Sequence, residues 1–197
     1  MDLAAVALTF GAIFLVELPD KTFLATLVLA TKYRPILVWI GVGLAFTVQT
    51  GVAVALGHAA SLLPPDVVKI AAIVLFLIGA VILFREGRSH QETADGEEFA
   101  EKAKPVTGWR AVLASFVVLF AAEWGDLSQL LTLSLVAKYE APLSVFVGAL
   151  AALLTVSALA VVVGRSLLRF ISLHVLHFLG AGVCVLLATL TVYELVS

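Results

Sequence analysis

Six apolar runs divide this chain, and they constrain its fold more than any other feature. A helix needs roughly 20 apolar residues to cross the hydrocarbon core of a bilayer. We place spans at residues 3–30, 36–60, 67–85, 109–137, 143–165 and 172–194. With 62% hydrophobic and 13% charged residues, the chain could not cover a soluble globule with polar surface. The sequence therefore predicts an all-α integral membrane protein with six transmembrane helices in a lipid bilayer.

Charge and cysteine content exclude several other classes. A net charge of -2 gives no indication of a nucleic-acid partner, and the single cysteine, Cys184, offers no disulfide framework. The first apolar run follows Asp2 and no basic segment, so we expect a retained span rather than a signal peptide.

The distribution of Lys and Arg predicts the orientation of the spans. With the N-terminus outside, the inner loops carry nine of these residues and the outer loops only Lys69 and Lys138. Loops rich in Lys and Arg stay on the cytoplasmic side. We therefore predict a multi-pass protein of the inner (plasma) membrane with both termini outside. The long charged run at 86–107, which cannot bury a core, is then a cytoplasmic linker.

The two halves of the chain repeat each other. A shift of 106 positions, or 107 after one inserted residue, pairs Glu17 with Glu123, Asp20 with Asp126, Thr22 with Ser128, Pro35 with Pro142 and Gly41 with Gly148. Residues 1–85 and 108–197 are thus predicted to be two three-helix repeats. Because three is odd, the second repeat enters the membrane in the opposite orientation, which is the inverted-repeat plan of secondary transporters. Small residues within the spans, such as Gly41 and Gly148, are expected to allow close helix contact.

Two acidic motifs lie inside apolar spans at matching positions of the halves. They read Glu17-Leu18-Pro19-Asp20-Lys21-Thr22 and Glu123-Trp124-Gly125-Asp126-Leu127-Ser128. An ionised carboxylate in hydrocarbon costs about 3 kcal/mol even on a lenient scale, so four together imply a compensating cation. We expect each pair, spaced i, i+3, to project from one helical face. Pro19 and Gly125 are candidate breaks in their spans.

Neighbouring polar residues have less specific interpretations. Lys21 follows Glu17 by four positions, the favourable order for a helix ion pair. Gln49 either lines a pathway or bonds to a neighbouring helix. The motifs contain carboxylates but no His or Cys, which favours Mg, Ca or Mn over zinc or copper.

The paired motifs, in the first and fourth of six spans around a charged central loop, resemble those of the GDT family of cation/proton exchangers. That family handles manganese and calcium and belongs to the lysine-exporter superfamily. The resemblance implies that four carboxylates bind the ion, with oxygen atoms of two hydroxyl residues in support; these are Glu17, Asp20, Glu123 and Asp126, with Thr22 and Ser128. This chain departs from the motif at Pro19 and at Leu127, after which come Ser128 and Gln129.

The resemblance implies a transporter that exports Mn²⁺, or Ca²⁺, in exchange for protons through a site at the repeat interface. Such a protein is not an enzyme and needs no resident cofactor. An amino-acid or other small-solute exporter of the same superfamily is the alternative; an intramembrane aspartyl protease would leave the duplicated Glu positions without a role. The sequence leaves open whether the chain forms a homo-oligomer.

Overall fold

The computed structural model describes residues 1–18, 20–86, 88, 106–170 and 173–196. Within these ranges the chain is helical and contains no strand. The eight helices are α1 (Leu3–Glu17), α2 (Lys21–Lys32), α3 (Pro35–Ala60), α4 (Pro65–Glu86), α5 (Trp109–Ala122), α6 (Leu127–Tyr139), α7 (Pro142–Phe170) and α8 (Leu173–Val196). Most of the charged linker lies outside the described residues.

The first and fourth predicted spans are each two helices rather than one. The axes of α1 and α2 differ by 70°, and those of α5 and α6 by 72°. The predicted interruptions are thereby confirmed. At the second one Gly125 has a φ of 79°, a left-handed conformation that glycine adopts without the steric cost of a Cβ.

The other helices match the remaining predicted spans closely. Three of them, α3, α4 and α7, are each apolar and long enough to cross a membrane, and each bent pair also qualifies as one span, which gives three to five candidate spans. Within α8, the described residues include a shorter apolar helical stretch, Phe178–Tyr193. Helix α7 continues to Phe170, beyond the part that is apolar enough to cross a membrane, Pro142–Val162, which is close to the predicted span at 143–165.

Packing between the helices follows the sequence repeat. Helix α1 packs on α7, and α5, its repeat equivalent, packs on α3. A Cβ atom added at Gly148 would lie 2.6 Å from the Val6 carbonyl oxygen, and one added at Gly41 would meet the Val112 carbonyl oxygen. Val6 and Val112 are themselves 106 positions apart. The expectation that Gly41 and Gly148 allow close helix contact is therefore confirmed at equivalent places.

The segments predicted to lie outside the membrane on one side share one end of the molecule. Ser61 after α3, Lys69 on α4, Lys138 on α6 and Thr191 on α8 line a common cleft there. The backbone N–H of Asp2 donates to the Ser144 hydroxyl at 2.8 Å, which brings the N-terminus to the start of α7. Segments that the sequence places on one side of the membrane therefore lie together in the structure.

Candidate metal centre

The four acidic residues stand at the two breaks. Glu17 is the last residue of α1 and Asp20 the N-cap of α2; Glu123 follows α5 and Asp126 is the N-cap of α6. The backbone turns the same way at both breaks, since Asp20 N–H donates to the Glu17 carbonyl at 3.1 Å and Asp126 N–H to the Glu123 carbonyl at 3.2 Å. The expectation of one continuous helical face was therefore wrong, because each acidic pair converges through a turn between two helices.

The two breaks meet, and their carboxylates form one cluster. One carboxylate oxygen from each of the four residues lies within 4.8 Å of the other three. Glu17 and Glu123 are 0% and 2% exposed, whereas Asp20 and Asp126 are half-buried. Neither carboxylate oxygen of Glu17 has a hydrogen-bond partner among the described residues. Unpaired buried carboxylate oxygens are unusual and need an explanation such as an ion.

A hydroxyl group from the first half supports a carboxylate of the second. The Thr22 hydroxyl donates to Glu123 Oε1 and also lies 3.1 Å from Asp20 Oδ2. Thr22 is 1% exposed. The hydrogen bond therefore joins the two breaks inside the protein, in addition to any bridging ion.

At the second break, two side chains accept hydrogen bonds from the backbone of their own turn. Asp126 Oδ2 accepts from the Ser128 N–H at 3.5 Å and so caps α6. Gln129 Oε1 accepts from the Gly125 N–H at 3.1 Å, which steadies the left-handed turn. The Lys21 side chain lies outside the described part of the structure, so its predicted pairing with Glu17 stays a prediction.

Gln49 bonds to a neighbouring helix, which is one of its two expected roles, and it also lines a recess. Its Nε2 donates to the Phe120 carbonyl at 3.0 Å, one of the last carbonyls of α5, which the break deprives of a helical partner. Gln49 also lines a recess that reaches Glu123, together with Thr50 and Thr132. The sequence analysis missed these two threonines. A signal existed, because Thr50 has Ser157 and Thr132 has Thr26 as repeat equivalents inside apolar spans.

The chemistry of the cluster fits a hard divalent cation. At an effective dielectric constant of about 20, two like charges about 4 Å apart repel by about 4 kcal/mol. Four ionised carboxylates at this spacing therefore need a compensating cation or bound protons. Carboxylate and hydroxyl oxygens are the ligands that Mg²⁺, Ca²⁺ and Mn²⁺ prefer.

Apolar helices, two broken helix pairs and a buried carboxylate cluster are together typical of membrane transporters for cations. The sequence profile of the divalent cation/proton antiporter family GDT1 matches residues 5–91 and 111–197. The chain belongs to this family, whose members are transporters rather than enzymes. The resemblance drawn from the acidic motifs is thereby confirmed.

Several known proteins are similar to the chain. A protein of Vibrio cholerae serotype O1 named "Putative manganese exporter" is 31% identical over 196 residues, covering 97% of this chain and 92% of its own length. The GDT1-like protein sll0615 of Synechocystis is 33% identical over 136 residues, covering 64% of this chain and 66% of its own. PAM71 of Arabidopsis thaliana, a chloroplastic protein, is 29% identical over 212 residues, covering 97% of this chain and 57% of its own.

The chain thus spans between 57% and 66% of the length of the Synechocystis and Arabidopsis relatives. No solved structure shows a significant match.

Proposed function

We propose that this protein is a secondary transporter that exports Mn²⁺ in exchange for protons, with Ca²⁺ as the second cargo. Glu17, Asp20, Glu123 and Asp126 bind the ion. The observation that carries this proposal is the convergence of four carboxylates, one pair from each break, on a point where Glu17 and Glu123 are buried. The membership in a divalent cation/proton antiporter family and the similarity to a protein named as a manganese exporter support it.

The remaining polar residues have supporting roles in this proposal. Thr22 and Ser128 provide hydroxyl oxygens next to the cluster, and Lys21 offsets part of its negative charge. Gln49 and Gln129 hold the second break in shape through their hydrogen bonds to the backbone of Phe120 and Gly125.

The architecture of the proposed transporter is two inverted three-helix repeats, residues 1–85 and 108–197, with six spans and a cytoplasmic linker at 86–107. The equivalent contacts of α1 with α7 and of α5 with α3 support a twofold relation between the halves. The protein then lies in the plasma membrane with both termini outside, and the cluster lies at the interface between the repeats.

Charge balance provides the coupling. Metal binding requires ionised carboxylates, whereas the metal-free cluster is too crowded with negative charge to stay fully ionised in a buried site. Protons therefore replace the metal ion, and in both forms bound cations offset part of the negative charge of the cluster. A cluster with part of its charge offset can change its exposure from one side of the membrane to the other at a lower electrostatic cost than a fully ionised one.

The test is transport by the purified full-length chain in proteoliposomes with an imposed pH gradient. We expect Mn²⁺ to move in the direction opposite to the flow of protons down their gradient. Ca²⁺ should compete with Mn²⁺, and Mg²⁺ should compete less because it gives up its water reluctantly. Amino acids added at millimolar concentration should leave Mn²⁺ transport unchanged. Amino-acid flux without Mn²⁺ flux would instead establish the small-solute exporter.

A further inference from the structure

The recess beside Glu123 is lined by six polar residues together with the apolar Phe46, Ala53 and Leu153. The centre of a water-sized sphere can occupy about 10 Å³ of it, roughly the room that one water molecule needs. The polar lining consists of Gln49, Thr50, Glu123, Ser128, Gln129 and Thr132. Gln129 Nε2 is buried and has no hydrogen-bond partner among the described residues. The recess thus offers carboxamide and hydroxyl groups next to a fully buried carboxylate.

The equivalent place in the other repeat is filled with apolar side chains. The repeat equivalents of Gln129 and Gln49 are Phe23 and Val156, and both are 1% exposed. They pack in one hydrophobic cluster with Leu18. Leu18 is 7% exposed, whereas Trp124, its equivalent, is 59% exposed.

The hydroxyl residues do not account for this difference. Thr22 and Thr26 on α2 repeat Ser128 and Thr132 on α6, so both repeats have hydroxyl groups near the acidic cluster. The two places differ at three positions. The recess has Gln49, Gln129 and an exposed Trp124, and the equivalent place has three buried apolar residues.

The helices that carry Gln129 and Phe23 lead away from the two breaks toward opposite ends of the molecule. Along the chain, the recess residues of α3 precede Ser61 and those of α6 precede Lys138. Ser61 and Lys138 line the cleft at the predicted outer end. Phe23 is on α2, which ends at Lys32, and Val156 is on α7, which continues to Phe170. Those helix ends belong to the predicted inner side.

A divalent cation leaves water only where other oxygen atoms replace its hydration shell. Carboxamide and hydroxyl oxygens of the recess can do so, and the recess has room for about one water molecule. Tightly packed Leu18, Phe23 and Val156 offer the ion neither oxygen ligands nor space.

We propose that the polar recess is the route by which the cation passes between the acidic cluster and the outer end, and that Leu18, Phe23 and Val156 form a hydrophobic gate that closes the inner route in this conformation. This inference rests on the proposed transport function. Export then requires Phe23 and Val156 to separate, while the recess side closes.

Thiol accessibility tests the two routes without depending on transport. In the full-length chain carrying Cys184→Ala, the substitutions Gln129→Cys and Phe23→Cys form a repeat-matched pair, and Gln49→Cys and Val156→Cys form a second pair. Each variant in membrane vesicles is treated with a small cationic methanethiosulfonate reagent. We expect the cysteines at the glutamine positions to react at least tenfold faster than their partners, and Mn²⁺ to slow the reaction at position 129.

Equal rates within both pairs, or faster reaction at positions 23 and 156, would overturn the gate. A pair is scored only if both variants elute as monodisperse protein and label fully after denaturation, and the second pair serves if the first does not fold. Unequal labelling in a protein that moves no Mn²⁺ would retain the unequal routes and reject the proposed cargo, so the two failures are distinguishable.

Discussion

Four carboxylate oxygens lie within 4.8 Å of one another at this site. A single substitution there therefore acts mainly by changing the total negative charge of the cluster. Replacing Glu17, Asp20, Glu123 or Asp126 with its amide removes a ligand and at the same time relieves repulsion between like charges. We therefore expect Mn²⁺ transport to fall at least a hundredfold, while expression and thermal stability in detergent stay at or above the wild-type level.

Asp66→Asn is the control for this series, because Asp66 is an exposed carboxylate in the first turn of α4. It should transport like the wild type. Wild-type Mn²⁺ uptake by any two of the four amide variants would remove the site assignment.

A second prediction at the residue scale concerns two buried threonines of α2. Thr22→Val removes the donor to Glu123 Oε1, and leaving a buried acceptor unsatisfied costs about 1–3 kcal/mol. Thr26→Val is the matched control, since Thr26 is 0% exposed and its hydroxyl has no partner among the described residues. Thermal unfolding in detergent should show a lower Tm for Thr22→Val and an unchanged or higher Tm for Thr26→Val. Equal losses would mean that the cross-repeat hydrogen bond contributes nothing specific.

At the scale of the elements, close helix contact depends on particular glycines. Gly148→Ala places a methyl group against the α1 backbone at Val6, so it should destabilise the protein by about 1–3 kcal/mol through overpacking. Gly51→Ala in α3 is the control, because nothing lies within 4 Å of the added carbon. That change should stabilise the helix by about 0.5–1 kcal/mol. Opposite shifts of the unfolding temperature are expected, and shifts of the same sign would contradict the contact.

The helix breaks show what sequence reasoning reached and where it stopped. Pro19 and Gly125 marked the interruptions correctly because backbone chemistry is local. The way in which each acidic pair converges was not predicted, since helical spacing assumes a helix where the chain instead makes a turn. The hydrogen bond from Thr22 to Glu123 joins residues 101 positions apart, and no local pattern encodes such a contact. The sequence shows that Gln129 and Phe23 occupy equivalent positions. Only the structure shows that Gln129 lines a recess and that Phe23 is buried among apolar side chains.

At the scale of the whole molecule, topology is the first property to measure. In a background with Cys184→Ala, cysteines at Lys69 and Ser197 should react with an impermeant thiol reagent from outside intact cells, and a cysteine at Asp95 should react only after the membrane is opened. This result follows from nine inner against two outer Lys and Arg residues. The opposite labelling pattern would reverse the orientation and the proposed direction of export.

Proton release on metal binding is a property of the whole cluster rather than of one group. If protons neutralise the metal-free carboxylates, binding of Mn²⁺ must expel them, and its apparent affinity must fall as the pH is lowered. Calorimetry in buffers of different ionisation enthalpy should count more than one proton per ion near neutral pH. A count of zero would leave a cation site but would favour a channel or uniporter over an exchanger.

Among the described residues, the helix pairs in substantial contact nearly all join the two halves; only α2 with α3 and α6 with α7 pack within a half. This has a consequence for synthesis in the cell. Helix α1 ends at Glu17 and its partner α7 begins at Pro142, 125 residues later, which is about 6–25 s at a synthesis rate of roughly 5–20 residues per second. During that interval the newly made first half holds Glu17 beside the bilayer before its partners from the second half exist. The first half therefore stays incomplete until the second half has been made and supplies most of its helix contacts.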